Sequence, residues 1–93
     1  MNYKTKSIVI GRKKRVEDHY PVFIHLFEIN DPHLTDKVPF EMLEYDNIQK
    51  VELCGLCVEY WPFGSDIVIN DLESIEVEQK EDLLIIKGKQ KKH

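Results

Sequence analysis

Cys54-Gly55-Leu56-Cys57 sets two thiols at the spacing used by zinc knuckles and by thioredoxin-type redox pairs. A knuckle needs two further ligands, and the chain has only 2 cysteines. His19, His25, His33 and His93 are scattered and supply no second ligand pair. A redox pair works at a helix N-terminus, where the dipole lowers a thiol pKa, whereas Cys54 and Cys57 lie in strand-like sequence. They read as structural thiols that bind no metal and form no disulfide with each other. Asp18-His19-Tyr20 and His33 offer acid–base groups. No Ser or Cys nucleophile stands with a matched base, and no Gly-rich loop could cradle a phosphate. Glu41, Glu44, Asp46 and Glu52 are close in sequence but lack the regular spacing of a calcium loop, so they read as a solvated face. The expectation is a protein with no catalytic residues, no cofactor and no metal.

Charge is the second source of chemistry. The net charge is −4, but its distribution is uneven. Residues 1–16 hold Lys4, Lys6, Arg12, Lys13, Lys14 and Arg15 and no acid. Residues 83–93 hold Lys87, Lys89, Lys91 and Lys92 and no acid. All 17 acids therefore lie between, against Lys37, Lys50 and Lys80. Gly11-Arg12-Lys13-Lys14-Arg15 can neutralise phosphates, with Tyr3 and Tyr20 as the nearby aromatics. The acidic middle would instead attract a basic partner.

These residues must be positioned by one domain spanning 1–93, since the length leaves no room for a second. A Lys-rich tail, expected to be flexible, begins at about residue 88. No apolar run reaches the length of a membrane span and no h-region opens the chain. With few cysteines, a reducing cytoplasm is expected.

Ser7-Ile8-Val9-Ile10 is a short strand stopped by Gly11. Residues 21–29 are apolar on both alternating faces, as in a central strand covered on both sides. Val38 to Tyr45 reads as a short helix with Asp36 as cap, Pro39 in its first turn, and Phe40 and Leu43 facing the core. Strand is expected from Ile48 onward, with a bulge at Cys54-Gly55 to correct the side-chain parity. Ile67-Val68-Ile69 follows. Ile75 and Val77 then alternate with Glu76 and Glu78 on a one-sided strand, and Leu83 to Ile86 is apolar on both faces. The fold class expected is α+β: a small, mainly antiparallel β-sheet or partly closed barrel with about one short helix. Two doubly apolar strands exceed what one short helix covers. Either the sheet curls on itself or a partner covers it.

Trp61-Pro62-Phe63-Gly64-Ser65-Asp66 joins two of these runs. Pro62 presets a turn and Gly64 can take the left-handed conformation after it, which makes a three-residue hairpin loop. Trp61 and Phe63 flank the proline where turns usually carry small polar residues. The rings either form an exposed contact tip or fold back over the sheet edge. Trp61-Pro62, Gly64, Asp66-Ile67 and Leu72 fit W-P-x-G-x-D-[IL]-x-x-x-x-L. In this the chain resembles domain-of-unknown-function family 2442, and Val51-Glu52-Leu53 and Val58-Glu59-Tyr60 fall where that family has two preceding strands. The resemblance implies a small bacterial α+β domain in a regulatory setting, alone, fused to a DNA-binding unit or paired as in toxin–antitoxin modules. It implies no catalytic residue.

Two functions follow as expectations. One is a non-enzymatic protein-binding module (inhibitor, antitoxin-like or regulatory partner) that meets a basic protein through Glu41, Glu44, Glu52, Trp61 and Phe63. The other is a nucleic-acid binder using Arg12, Lys13, Lys14 and Arg15 with the Lys-rich tail. A homodimer is compatible with either.

Overall fold

The computed structural model describes residues 1–12, 21–56 and 66–90. The chain forms strands β1 (Asn2–Lys4), β2 (Ser7–Arg12), β3 (Val22–Phe27), β4 (Glu41–Tyr45), β5 (Lys50–Cys54), β6 (Asp66–Ile69), β7 (Leu72–Lys80) and β8 (Leu83–Gln90). They make two four-stranded sheets, in the orders β1-β7-β8-β5 and β4-β3-β2-β6. All ladders are antiparallel except β5 against β8, which is parallel.

Alternation along each strand decides what faces inward. In the first sheet Val77 pairs with Ile86 and Ile75 with Gly88, while Val51 and Leu53 lie beside Leu84 and Ile86. In the second sheet Ile8 and Ile10 lie between Leu26 and Ile24 on one side and Ile69 and Ile67 on the other. These inward residues, with Val22, Ile48 and Leu72, form one core shared by both sheets. The expected need for a second covering layer is met by the second sheet. The far side of β3 is also covered: Val9, Phe27 and Leu34 form a smaller cluster there with Phe23 and Val68.

The α part of the expected fold class is reduced to a single 3-10 turn at Leu34–Asp36 among the described residues. The helix expected over 38–45 is instead strand β4, and Phe40 is exposed rather than core-facing. Glu, Met and Leu are good helix formers, but a second partner for β3 outweighs their propensity. Val22, Ile24 and Leu26 need neighbours on both sides, and β4 supplies Tyr45, Leu43 and Glu41 in register. Nor does the sheet close into a barrel; the described strands stay in two separate sheets.

Gly11 does not stop β2, which runs through it to Arg12. A side chain there would overlap the Phe23 ring and the Asp66 carboxylate, so the glycine makes room for its cross-strand neighbours. The stretch expected to begin the tail continues β8 through Gln90, held by pairing of Lys89 with Ser74 and Gln90 with Leu72. In place of the expected bulge, β5 ends at Cys54 and Gly55 turns the chain with φ +72°.

Gly55 is fixed twice over. Its φ is left-handed, and a Cβ would overlap the carbonyl oxygen of Gly88 on the adjacent strand. Gly55→Ala should therefore destabilise the fold by about 1–3 kcal/mol. Urea unfolding of the two proteins checks this, and a loss below a few tenths would contradict the packing described.

Candidate functional site

Among the described residues, β4 and the residues leading into it carry three exposed apolar side chains in a row of alternate positions. Val38 is 93% exposed, Phe40 47% and Met42 66%. Their spacing of two residues suits an extended chain, not a helix. The ladder to β3 reaches beyond the strand itself, since the Phe40 amide donates to the Leu26 carbonyl at 2.9 Å. Met42 and Glu44 sit opposite His25 and Phe23 on the outer side of the second sheet. Leu43 and Tyr45 turn inward and are half-buried against the core. Glu41 has inward parity but is exposed at the strand's start.

The connection before β4 is pinned by side-chain amides. Asn30 Nδ2 donates to Asp71 Oδ1 at 3.3 Å, and the Asp71 amide returns a bond to Asn30 Oδ1 at 3.0 Å. The Asp31 amide donates to Asn70 Oδ1 at 3.1 Å, and Asn70 Nδ2 donates to the Asp31 carbonyl at 3.3 Å. The His33 amide donates to Asp31 Oδ1 at 2.7 Å. These bonds tie residues 30–33 to the corner between β6 and β7. They bring Leu34 onto the outer face of the second sheet and aim the chain toward β4. A recess of about 130 Å³ remains beside it, lined by Val9, Phe23, His25, Phe27, Leu34, Lys37 and Asp66. The Phe23 and His25 rings lie 4.6 Å apart, centroid to centroid.

The other expected contact residues are divided. Glu41 and Glu44 share β4, but Glu52 lies on β5 in the other sheet, beside Lys50 at 3.6 Å. Trp61 and Phe63 fall outside the described residues, as do Lys13, Lys14, Arg15 and Cys57. Arg12 ends β2 opposite Val22. Cys54 is exposed at the end of β5. Among the described residues no three His, Cys, Asp or Glu gather as a metal site. No described helix is long and apolar enough to cross a membrane.

The outer side of the first sheet joins basic residues from both chain ends. Lys4 and Lys89 flank Ser74 across β7, and Lys87 lies one row on, opposite Glu76. Carboxylates interleave with them: Glu73 meets Lys89 at 3.5 Å, and Glu78 meets Lys80 at 4.0 Å. Exposed pairs of this kind contribute roughly 0–1 kcal/mol each. This face is mixed in sign, not a basic stripe. A depression of about 440 Å³ lies at the corner of Lys4, Thr5, Lys6, Glu28, Leu72 and Glu73. It is open, and the Thr5 hydroxyl within it is already committed to the carbonyls of Ser7 and Phe27 at 2.8 and 2.9 Å.

No family model matches this chain, and no curated protein or solved structure matches it significantly. The sequence reading missed Val38, Phe40 and Met42 as surface residues. The signal was present as their two-residue spacing, which the helical reading of Phe40 and Leu43 overrode.

Tyr45, at the end of β4, offers a pH test of this placement. Burial, with the Tyr3 phenol nearby, pushes its hydroxyl above the ordinary range near 10. Below that range the phenol is neutral folded and unfolded, and its contribution is fully present. As pH rises, the unfolded chain ionises first, and the contribution is lost through the folded-state pKa. Urea midpoints measured from about pH 8 to 11.5 should fall less steeply for Tyr45→Phe than for the wild type. Identical slopes would mean that Tyr45 is solvated.

Proposed function

We propose that this chain is a non-enzymatic protein-binding module, an inhibitor, antitoxin-like partner or regulatory subunit working in the cytoplasm. Its partner is basic and meets the acidic middle of the chain at β4. The observation that carries this reading is an exposed apolar row, Val38, Phe40 and Met42, set beside Glu41 and Glu44 on the terminal strand of a sheet. Exposed apolar side chains supply contact area, and carboxylates around them select the charge of what docks. The resemblance of residues 61–72 to domain-of-unknown-function family 2442 agrees with a regulatory role. Trp61 and Phe63 are proposed as further contacts, and Glu52 as a more distant one on the other sheet.

Nucleic-acid binding is the second reading. Its support is the meeting of Lys4 with Lys87 and Lys89 on one face. Glu73 and Glu76 on that same face oppose a polyanion.

A host-lysate pull-down with mass spectrometry identifies the partner, and association kinetics then test the surface. Glu41→Lys/Glu44→Lys should slow association about tenfold or more at low salt with a smaller effect on dissociation. Met42→Ser should instead speed dissociation. Unchanged kinetics in both variants would remove β4 from the interface. A gel shift across salt separates the second reading. Tight nucleic-acid binding by the wild type, lost in an Arg12/Lys13/Lys14/Arg15 to Ala variant, would replace the protein-binding reading.

A further inference from the structure

We infer that β4 is a strand-addition edge that takes an extended, basic segment of the partner as a fifth strand of the second sheet. This rests on the protein-binding reading above and specifies how the surface is used. β4 is the terminal strand of its sheet, and among the described residues β3 alone pairs with it. A terminal strand presents backbone donors and acceptors along its open side, which a second chain can match.

The four sheet edges are not equivalent. β1 spans only Asn2–Lys4, and the chain terminus beside it is engaged, with the Met1 ammonium donating to the Val77 carbonyl at 2.9 Å. β5 carries the Lys50–Glu52 pair, and β6 has four residues beginning with Asp66. Among the described residues, β4 is the edge that presents an exposed apolar row, Met42 with Phe40 and Val38 just before it. Its usual protections are few. No lysine lies within Glu41–Tyr45, and Pro39 precedes the strand instead of interrupting it.

Charge selects the occupant. From Glu28 to Asp46 there are six carboxylates (Glu28, Asp31, Asp36, Glu41, Glu44 and Asp46) against Lys37 alone. A second copy pairing antiparallel through β4 would gather the Glu41 and Glu44 carboxylates of both chains along one five-residue ladder. Like charges placed across a ladder destabilise it. A strand alternating Lys or Arg with apolar residues reverses that term. It sets cations on the outer side beside Glu44, with their stems along Met42, and apolar groups on the inner side beside Leu43 and Tyr45. The occupant is therefore a basic segment of another protein and not a second copy.

The probe is an acetylated, amidated heptapeptide of alternating Lys and Val, titrated into the full-length protein labelled for amide NMR. A second copy of the peptide carries a methyl on every backbone nitrogen, which keeps charge and side chains but removes its donors. A third replaces Lys with Glu. Strand addition predicts saturable shifts at the β4 amides and slowed hydrogen exchange at alternate β4 amides. It also predicts at least tenfold weaker binding of the methylated copy and no binding of the Glu copy. Equal binding of the methylated copy would overturn strand addition while leaving a charge-selected contact at β4. Shifts confined to other strands, or none at millimolar peptide, would overturn it as well. The broader reading fails separately, if Glu41→Lys/Glu44→Lys leaves association with the purified partner unchanged.

Discussion

Two neighbouring corners govern this fold. The chain leaves the first sheet through Thr5 and Lys6 to begin β2, and re-enters it through Asn70 and Asp71 to begin β7. The Leu72 amide donates to the Lys6 carbonyl at 2.8 Å, so the two crossings are locked to each other. The Lys6 amide reaches the Phe27 carbonyl, and the Thr5 hydroxyl bridges the carbonyls of Ser7 and Phe27. Thr5, Ser7 and Leu72 are buried here, so the polar groups beside them gain little from water and these bonds stabilise the corner. Once they form, β2 and β7 lie in different sheets with their apolar faces toward each other. Ile8 and Ile10 then meet the same core as Ile75 and Val77.

That geometry also determines what is left over. The corner consumes the Asn30–Asp71 and Asp31–Asn70 bonds, which fix how the chain emerges from β3. Leu34 is then fully buried over Val9 and Phe27, and the next extended residues reach the open side of β3. β4 completes β3's pairing but finds no further strand among the described residues. Its inward residues Leu43 and Tyr45 pack on the core, while Met42 stays exposed on the outer side opposite His25. The exposed row at 38, 40 and 42 is thus a consequence of the sheet ending there.

Strands were legible where alternation was strong. Ile75 and Val77 turn inward and Glu76 and Glu78 outward, as their sequence requires. The doubly apolar β3 is central and covered on both sides for the same reason. Residues 38–45 were not legible, because Phe40 with Leu43 satisfies a helical stripe as well as Val38, Phe40 and Met42 satisfy a strand. The decision is made by β3's unpaired side, which no local window contains. Gly11 misled for a similar reason: its role depends on Phe23 and Asp66 across two ladders. The parallel contact of β5 with β8 joins Lys50 to Leu83, too far apart in sequence for any local pattern to show.

Charge illustrates the same limit at the level of function. In sequence the acids form one block, and that block suggests one acidic face. In the fold, the block passes through β3 and β4 in the second sheet, β5 in the first, β6 in the second and β7 in the first, so it is dealt onto different surfaces. Glu76 and Glu78 lie on the outer side of the first sheet among Lys87, Lys80 and Lys89. Glu52 joins that sheet through β5, against Lys50. What remains contiguous is the run from Glu28 to Asp46, whose strand β4 lies in the second sheet and whose own sequence contains one lysine, Lys37. Screening over about 8–10 Å at physiological salt means that only such a local run acts as a unit. The attraction proposed for a basic partner therefore acts at β4 and its approach, where the apolar row already lies, and is not set by the net charge of the chain.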